Sequence, residues 1–204
     1  MPIIPYSVTA TTYPAAFAKT QTALLAELSA RTAEAIRFGE SLLGLPAKPL
    51  KHRPAENAWS ALECLAHLND YADMYLDKIE ARAQEAPTRK REAYRPGLLG
   101  KKLALAMHPN NRSKTMRSPA RTNYLHADLP VGVRDTFLDN LRRYQAVLTD
   151  LESKDLRGSR VPFSLTPIVR FHLGDILACL VWHNTRHLLQ AEEAMVTAPR
   201  AAAQ

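Results

Sequence analysis

Two cysteines in 204 residues, Cys64 and Cys179, are too few and too far apart for a disulfide framework, so free thiols and a reducing compartment are expected. Long apolar runs are missing as well. The longest, Ile176 to Trp182, is bounded by Asp175 and by His183 and Arg186, far short of the roughly 20 residues that a bilayer requires. The opening Met1-Pro2-Ile3-Ile4-Pro5-Tyr6 has no early cation and no sustained apolar core, which argues against a secretory signal and for a cytoplasmic protein. No run of alternating apolar and polar residues suggests a strand, and no internal repeat is visible. Hydrophobic residues at 46% and charged residues at 23% are ordinary for a globular chain and exclude wholesale disorder. The length suits one domain with a single core, spanning 1–204.

What is present is mostly helical periodicity. From Pro14 to Leu43, Phe17, Leu24, Leu25, Leu28, Ala35, Ile36 and Leu42 recur at helical spacing, and Gly44 and Pro46 stop the pattern. After a Pro- and Lys-rich linker over 46–57, Ser60 stands as an N-cap with Glu63 in capping-box spacing, and Trp59 before it is placed to staple the helix start. The helix that follows carries Leu65, Leu68, Ala72, Leu76 and Ile79 on one stripe. A third helix spans 131–151 and a fourth 173–196, the latter after a connector with Pro162 and Pro167. The expected architecture is all-α, a four-helix bundle with long crossover connections and a frayed tail over 197–204.

The net charge is +7, which invites a nucleic-acid reading until the charge is located. Ten cations, among them Arg95, Lys101 and Lys102, face one acid, Glu92, between Ala86 and Ala127, and the rest of the chain is slightly acidic. That stretch reads as a mobile basic insertion between the second and third helices, with one short helix over 98–107. Dense charge without interleaved aromatics is the signature of a solvated loop, so no nucleic-acid partner is expected; the competing reading predicts binding that weakens steeply with salt.

Chemistry concentrates in the histidines. His183 and His187 are four residues apart on the row Ile176, Leu180, His183, His187, Ala191, so their imidazoles leave one inward face a turn apart. His67 lies on the row Ser60, Cys64, His67, Tyr71, Met74, beside the apolar stripe of its helix. Three neutral imidazoles around one divalent ion leave a coordination position for water or substrate; core histidines held by hydrogen bonds are the plainer alternative. Gln190 is spaced to orient a ligand, with a part-exposed amide an equal alternative; Asp70 is spaced to accept a proton from an imidazole or from bound water, though a solvated helix acid is the favoured reading; Tyr71 and Tyr75 either line a pocket mouth or pack in the core. Cys64 and Cys179 each precede a candidate histidine by about a turn, which makes them either soft ligands or small core residues. His52, His108, His126 and His172 receive no role.

The segment Trp59-Ser60-Ala61-Leu62-Glu63-Cys64-Leu65-Ala66-His67-Leu68, together with His183-Asn184-Thr185-Arg186-His187-Leu188-Leu189-Gln190, resembles the second-helix and fourth-helix motifs of the DinB superfamily. The resemblance implies a four-helix bundle with crossovers and a metal triad of His67, His183 and His187. It implies one divalent transition metal, zinc or nickel foremost and iron after them. Characterised relatives include S-transferases that use low-molecular-weight thiols, so a small-molecule substrate, a thiol-transfer or hydrolytic reaction and a homodimer are expectations of the same kind. No membrane partner is expected. Many relatives carry Glu directly after the first fourth-helix histidine. Here Asn184 supplies an amide instead, which favours the second reading, a non-catalytic metal-binding bundle.

Overall fold

The computed structural model describes residues 17, 20–111, 118–164 and 166–198. Four long helices form the body: α1 (Gln21–Leu43), α3 (Ala61–Gln84), α5 (Val133–Asp150) and α6 (Leu173–Val196). Between them lie α2 (Ala47–Lys51), α4 (Leu98–Met107), a 3-10 turn (Ala120–Thr122) and the strands β1 (Arg160–Phe163) and β2 (Thr166–His172). The bundle is as the periodicity predicts, and α4 and α6 have the expected bounds. The Pro14 end of the first expected helix and residues 199–204 of the expected tail fall outside the described residues.

Side-chain bonds between helices set the topology. Arg134, at the start of α5, donates to the Leu42 and Leu45 carbonyls at the end of α1 (2.8 and 2.9 Å), and Gln145 near the end of α5 donates to Ser29 early in α1, so these two run antiparallel. Asn140 of α5 donates to Asn69 of α3, and Arg143 reaches Asp77 and Glu80 about two to three turns further along α3, so α3 and α5 run parallel. A helix of α3's length spans about 36 Å at 1.5 Å per residue, and consecutive parallel helices therefore need a returning connection. The basic stretch is that connection.

Its described residues, 86–111 and 118–127, are built into the fold, where a mobile loop was expected from the charge; 112–117 fall outside the described residues. Gln21 binds the Glu92 carbonyl through its backbone (2.8 Å) and the Arg91 carbonyl through its amide (2.6 Å), while Arg89 and Asp155 exchange backbone bonds with Ser153 and Pro87. Further along, the Tyr94 hydroxyl (2.6 Å) and the Gly97 amide (2.9 Å) both donate to the buried carboxylate of Asp175 on α6. Burial pushes that carboxylate's pKa up, against the two donors. A Cβ on Gly100 would lie 2.6 Å from the Cβ of Asp175, so the close approach of α4 to α6 requires glycine there.

The antiparallel hairpin β1–β2 corrects the strand-free reading. Val161 and Phe171 turn inward onto the core, whereas Ile168 faces out. A four-residue strand with a central proline, opposite a strand with one of its own, leaves too little alternation to read. The five-residue helix α2 was likewise hidden in a Pro- and Lys-rich linker; the fully buried Leu50 anchors it.

Two apolar clusters fill the bundle. One gathers Leu24, Leu28, Leu76, Ile79, Leu177 and Trp182; the other gathers Phe38, Leu42, Leu65, Phe137, Leu141 and Leu188. No helix among the described residues is long and apolar enough to cross a membrane.

Candidate metal centre

Helix α3 begins as expected. Ser60 Oγ accepts from the Glu63 amide (3.3 Å), and the Glu63 carboxylate accepts from the Ser60 amide (2.6 Å), a complete capping box. Arg53 closes on the same carboxylate with Nε 3.0 Å from each oxygen. This fixed start sets the rotation of α3, and His67, one turn beyond Glu63, turns into the bundle toward α6.

There it meets His183 and His187. One ring nitrogen from each of the three lies within 4.8 Å of the others, and His67 Nε2 is 3.2 Å from His183 Nε2. Two nitrogens bound to one tetrahedral ion at about 2.0–2.1 Å stand about 3.3 Å apart, so the observed spacing suits a shared metal. The outer nitrogens of His67 and His187 are committed elsewhere. His67 Nδ1 donates to the Thr122 carbonyl (2.8 Å), and because a carbonyl only accepts, the proton is on Nδ1 and the lone pair of Nε2 faces His183. His187 Nδ1 lies 3.0 Å from Gln190 Oε1, which fixes its tautomer in the same sense.

All three imidazoles are held neutral. Burial lowers the pKa of His67, lowers that of His183 well below the ordinary value, and brings His187 down to about 3, with the neighbouring imidazoles adding to the last two. Neutral imidazole is the form that binds metal. The same shifts predict a pH dependence for the metal-free protein. Unfolded imidazoles take up protons near pH 6.5 whereas the native ones do not, so the unfolded state binds more protons below that pH and stability falls as the pH drops. Each group contributes up to about 1.4 kcal/mol per pH unit. Urea unfolding in chelator should show a lower midpoint at pH 5.5 than at pH 7.5; an unchanged midpoint would contradict neutral burial.

Aromatic rings close the surroundings. Trp59 stacks on His187 (centroids 5.6 Å) and tilts against His67 (4.9 Å), while Tyr71 contacts His67 (4.9 Å) and His183 (4.6 Å). Trp59, expected only to staple the helix start, thus walls the triad. Asp70 lies apart from the proton its spacing allowed it to accept: the Tyr124 hydroxyl donates to both of its oxygens (2.8 and 2.9 Å), and the Thr122 carbonyl takes the His67 proton. Cys64 packs in the core with Leu65 and Phe137, and burial pushes its thiol pKa far up. Cys179 is also buried, its thiol raised to about 12, but it reaches the wall of a cavity beside the triad.

That cavity, about 180 Å³, lies among α3, α4, the 3-10 turn, α6 and the hairpin, with His183 in its wall. Tyr71, Met74 and Tyr75 continue into it from the His67 row, and Ile176 and Leu180 from the His183 row. Both helix rows were readable from spacing; the contributions of Leu103, Met107 and Phe163 were not, because elements distant in sequence supply them. The Thr122 carbonyl was equally invisible, since a backbone acceptor leaves no residue signature.

A buried three-histidine group that can hold a metal, in a bundle whose parallel α3 and α5 are joined by a crossover, defines a class of helical metal-site proteins. The DinB superfamily model matches residues 37–191, and the chain belongs to that superfamily. No curated protein and no solved structure gives a significant match.

Proposed function

We propose that this protein binds one divalent transition metal, zinc or nickel foremost and iron after them, through His67, His183 and His187, and uses it on a small molecule that enters from the adjoining cavity. The observation that carries this reading is the convergence of three neutral imidazoles, with the outer nitrogens of His67 and His187 already bonded. When bound, the ion supplies a means of lowering the pKa of a thiol or water to near neutrality, the chemistry of thiol transfer or hydrolysis. The chain's own residues do the rest. Thr122 and Gln190 hold the ring orientations, Trp59 and Tyr71 exclude water from the triad, and the cavity receives the substrate.

One observation favours the second reading, a non-catalytic metal-binding bundle. Among the described residues the cavity wall contains no Asp or Glu, and Asn184, buried beside His183, cannot serve as a base. Assaying zinc- and nickel-loaded protein for thiol addition and for ester and amide hydrolysis separates the two. The catalytic reading expects turnover that chelation abolishes and that His183→Ala lacks; metal-loaded protein no faster than buffer overturns it.

Gln190 provides a finer test. Gln190→Leu removes the acceptor for His187 Nδ1 without touching a ligand nitrogen, and should weaken metal binding roughly 10- to 100-fold in chelator competition. Unchanged affinity would mean that the contact does not orient the ring.

A further inference from the structure

The cavity beside the triad has a chemical character that the metal reading does not use. Met74, Leu103, Met107, Phe163, Ile176 and Leu180 make its walls apolar, yet three groups that donate hydrogen bonds lie among them. The Ser164 hydroxyl is buried with no partner among the described residues. The Tyr75 hydroxyl accepts from the Ser164 amide (3.1 Å), which leaves its own proton to donate. Arg121, carried by the crossover's 3-10 turn, directs its guanidinium at the Met74 thioether (3.1 Å) and makes no ion pair among the described residues. A thioether is a weak acceptor for a permanently charged fork of donors.

We propose that this cavity is a binding site for a small carboxylic acid, with an apolar body about the size of one benzene ring or a six-carbon chain and its carboxylate held by Arg121. Size follows from volume: a dry cavity of about 150 Å³ holds benzene, and this one is slightly larger. Charge follows from the lining, which among the described residues has one guanidinium and no carboxylate, so an ammonium would be repelled and a dianion undercompensated. The planar fork suits bidentate pairing with a carboxylate. Only the inference that this acid is the substrate rests on the metal reading, because His183 is in the same wall; the binding itself does not.

Calorimetric titration of the full chain in chelator tests the site, with benzoate and hexanoate as probes and benzyl alcohol and hexylamine as matched controls. The acids are expected to bind more tightly than the alcohol and the amine. Arg121→Gln, at an exposed position where folding is not at risk, should weaken the acids about 10- to 100-fold and leave the alcohol unchanged. Leu180→Phe, which fills the cavity from the α6 wall without changing its charge, should weaken acid and alcohol alike. Equal binding of benzoate and benzyl alcohol, no binding, or indifference to Arg121→Gln overturns the proposal. So does binding that appears only in metal-loaded protein and survives Arg121→Gln, because the ion would then hold the carboxylate. A chain that takes up no metal but binds acids through Arg121 keeps this inference and refutes the metal reading.

Discussion

His183→Ala is expected to lose metal affinity by more than about 100-fold, since loss of a groundwork contact around a ligand already costs 10- to 100-fold and this change removes a ligand itself. His183 is central to the group: its Nε2 is 3.2 Å from that of His67, and its ring meets the rings of His67, His187 and Tyr71. With it gone, His67 and His187 remain as two ligands, too few to hold zinc in the three-ligand arrangement of an open site. The loss has a thermal readout. A ligand that binds only the native state at a hundred times its Kd adds about 2.7 kcal/mol, and a domain of this size gains about 2–4 °C per kcal/mol. Zinc or nickel should therefore raise the Tm of the unaltered chain by about 5–11 °C and leave His183→Ala unmoved. An equal rise in both would place the metal elsewhere.

Glu63→Ala is the second large effect, expected to cost about 3 kcal/mol. Its carboxylate is almost wholly buried, accepts the Ser60 amide and pairs with Arg53 through two guanidinium nitrogens. A lost cap costs about 0.5–2 kcal/mol and a broken buried ion pair about 3–5 kcal/mol. One carboxylate serves both, so the two do not add. Arg53 is part-exposed and can turn to water, which sets the total near the lower end. The Tm should fall by about 6–12 °C, and Glu63→Gln, which keeps an acceptor for the cap, should fall less. The Arg53 and Ser60 bonds hold the Glu63 pKa below the usual carboxylate range despite burial. Its contribution is therefore present above about pH 4.3 and lost as the pH falls through the native value, so the gap between variant and parent should close in acid. Denaturation midpoints at pH 7 and pH 3 measure this. Metal affinity should fall with stability, because a frayed α3 start displaces His67.

These two residues also show what a sequence discloses. The capping box and the three histidines are local patterns: spacing on a helix dictates face, and a face lined with Leu65, Leu68, Ile176 and Leu180 must point inward. Helices α4 and α6 were legible to the residue for that reason. The hairpin was not, because two short strands with prolines offer almost no alternation. The order within the described part of the crossover was not either. Its cations predict solvation, and what holds it is a set of backbone bonds to Gln21 and Ser153 and the pair of donors on Asp175, none of which has a residue-level signal. Asp70 had the right spacing for the His67 proton, but a carbonyl from the crossover took that place and Tyr124 took the acid. The cavity escaped because five elements distant in sequence build it.

X-ray absorption on zinc-loaded protein tests the central claim most directly, because it counts and identifies the ligands. Three imidazole nitrogens at about 2.0–2.1 Å, with one further light oxygen-type neighbour, are predicted for His67, His183 and His187 around an ion with an open position. A sulfur neighbour at about 2.3 Å, fewer than three imidazoles, or a chain that takes up no zinc would contradict it.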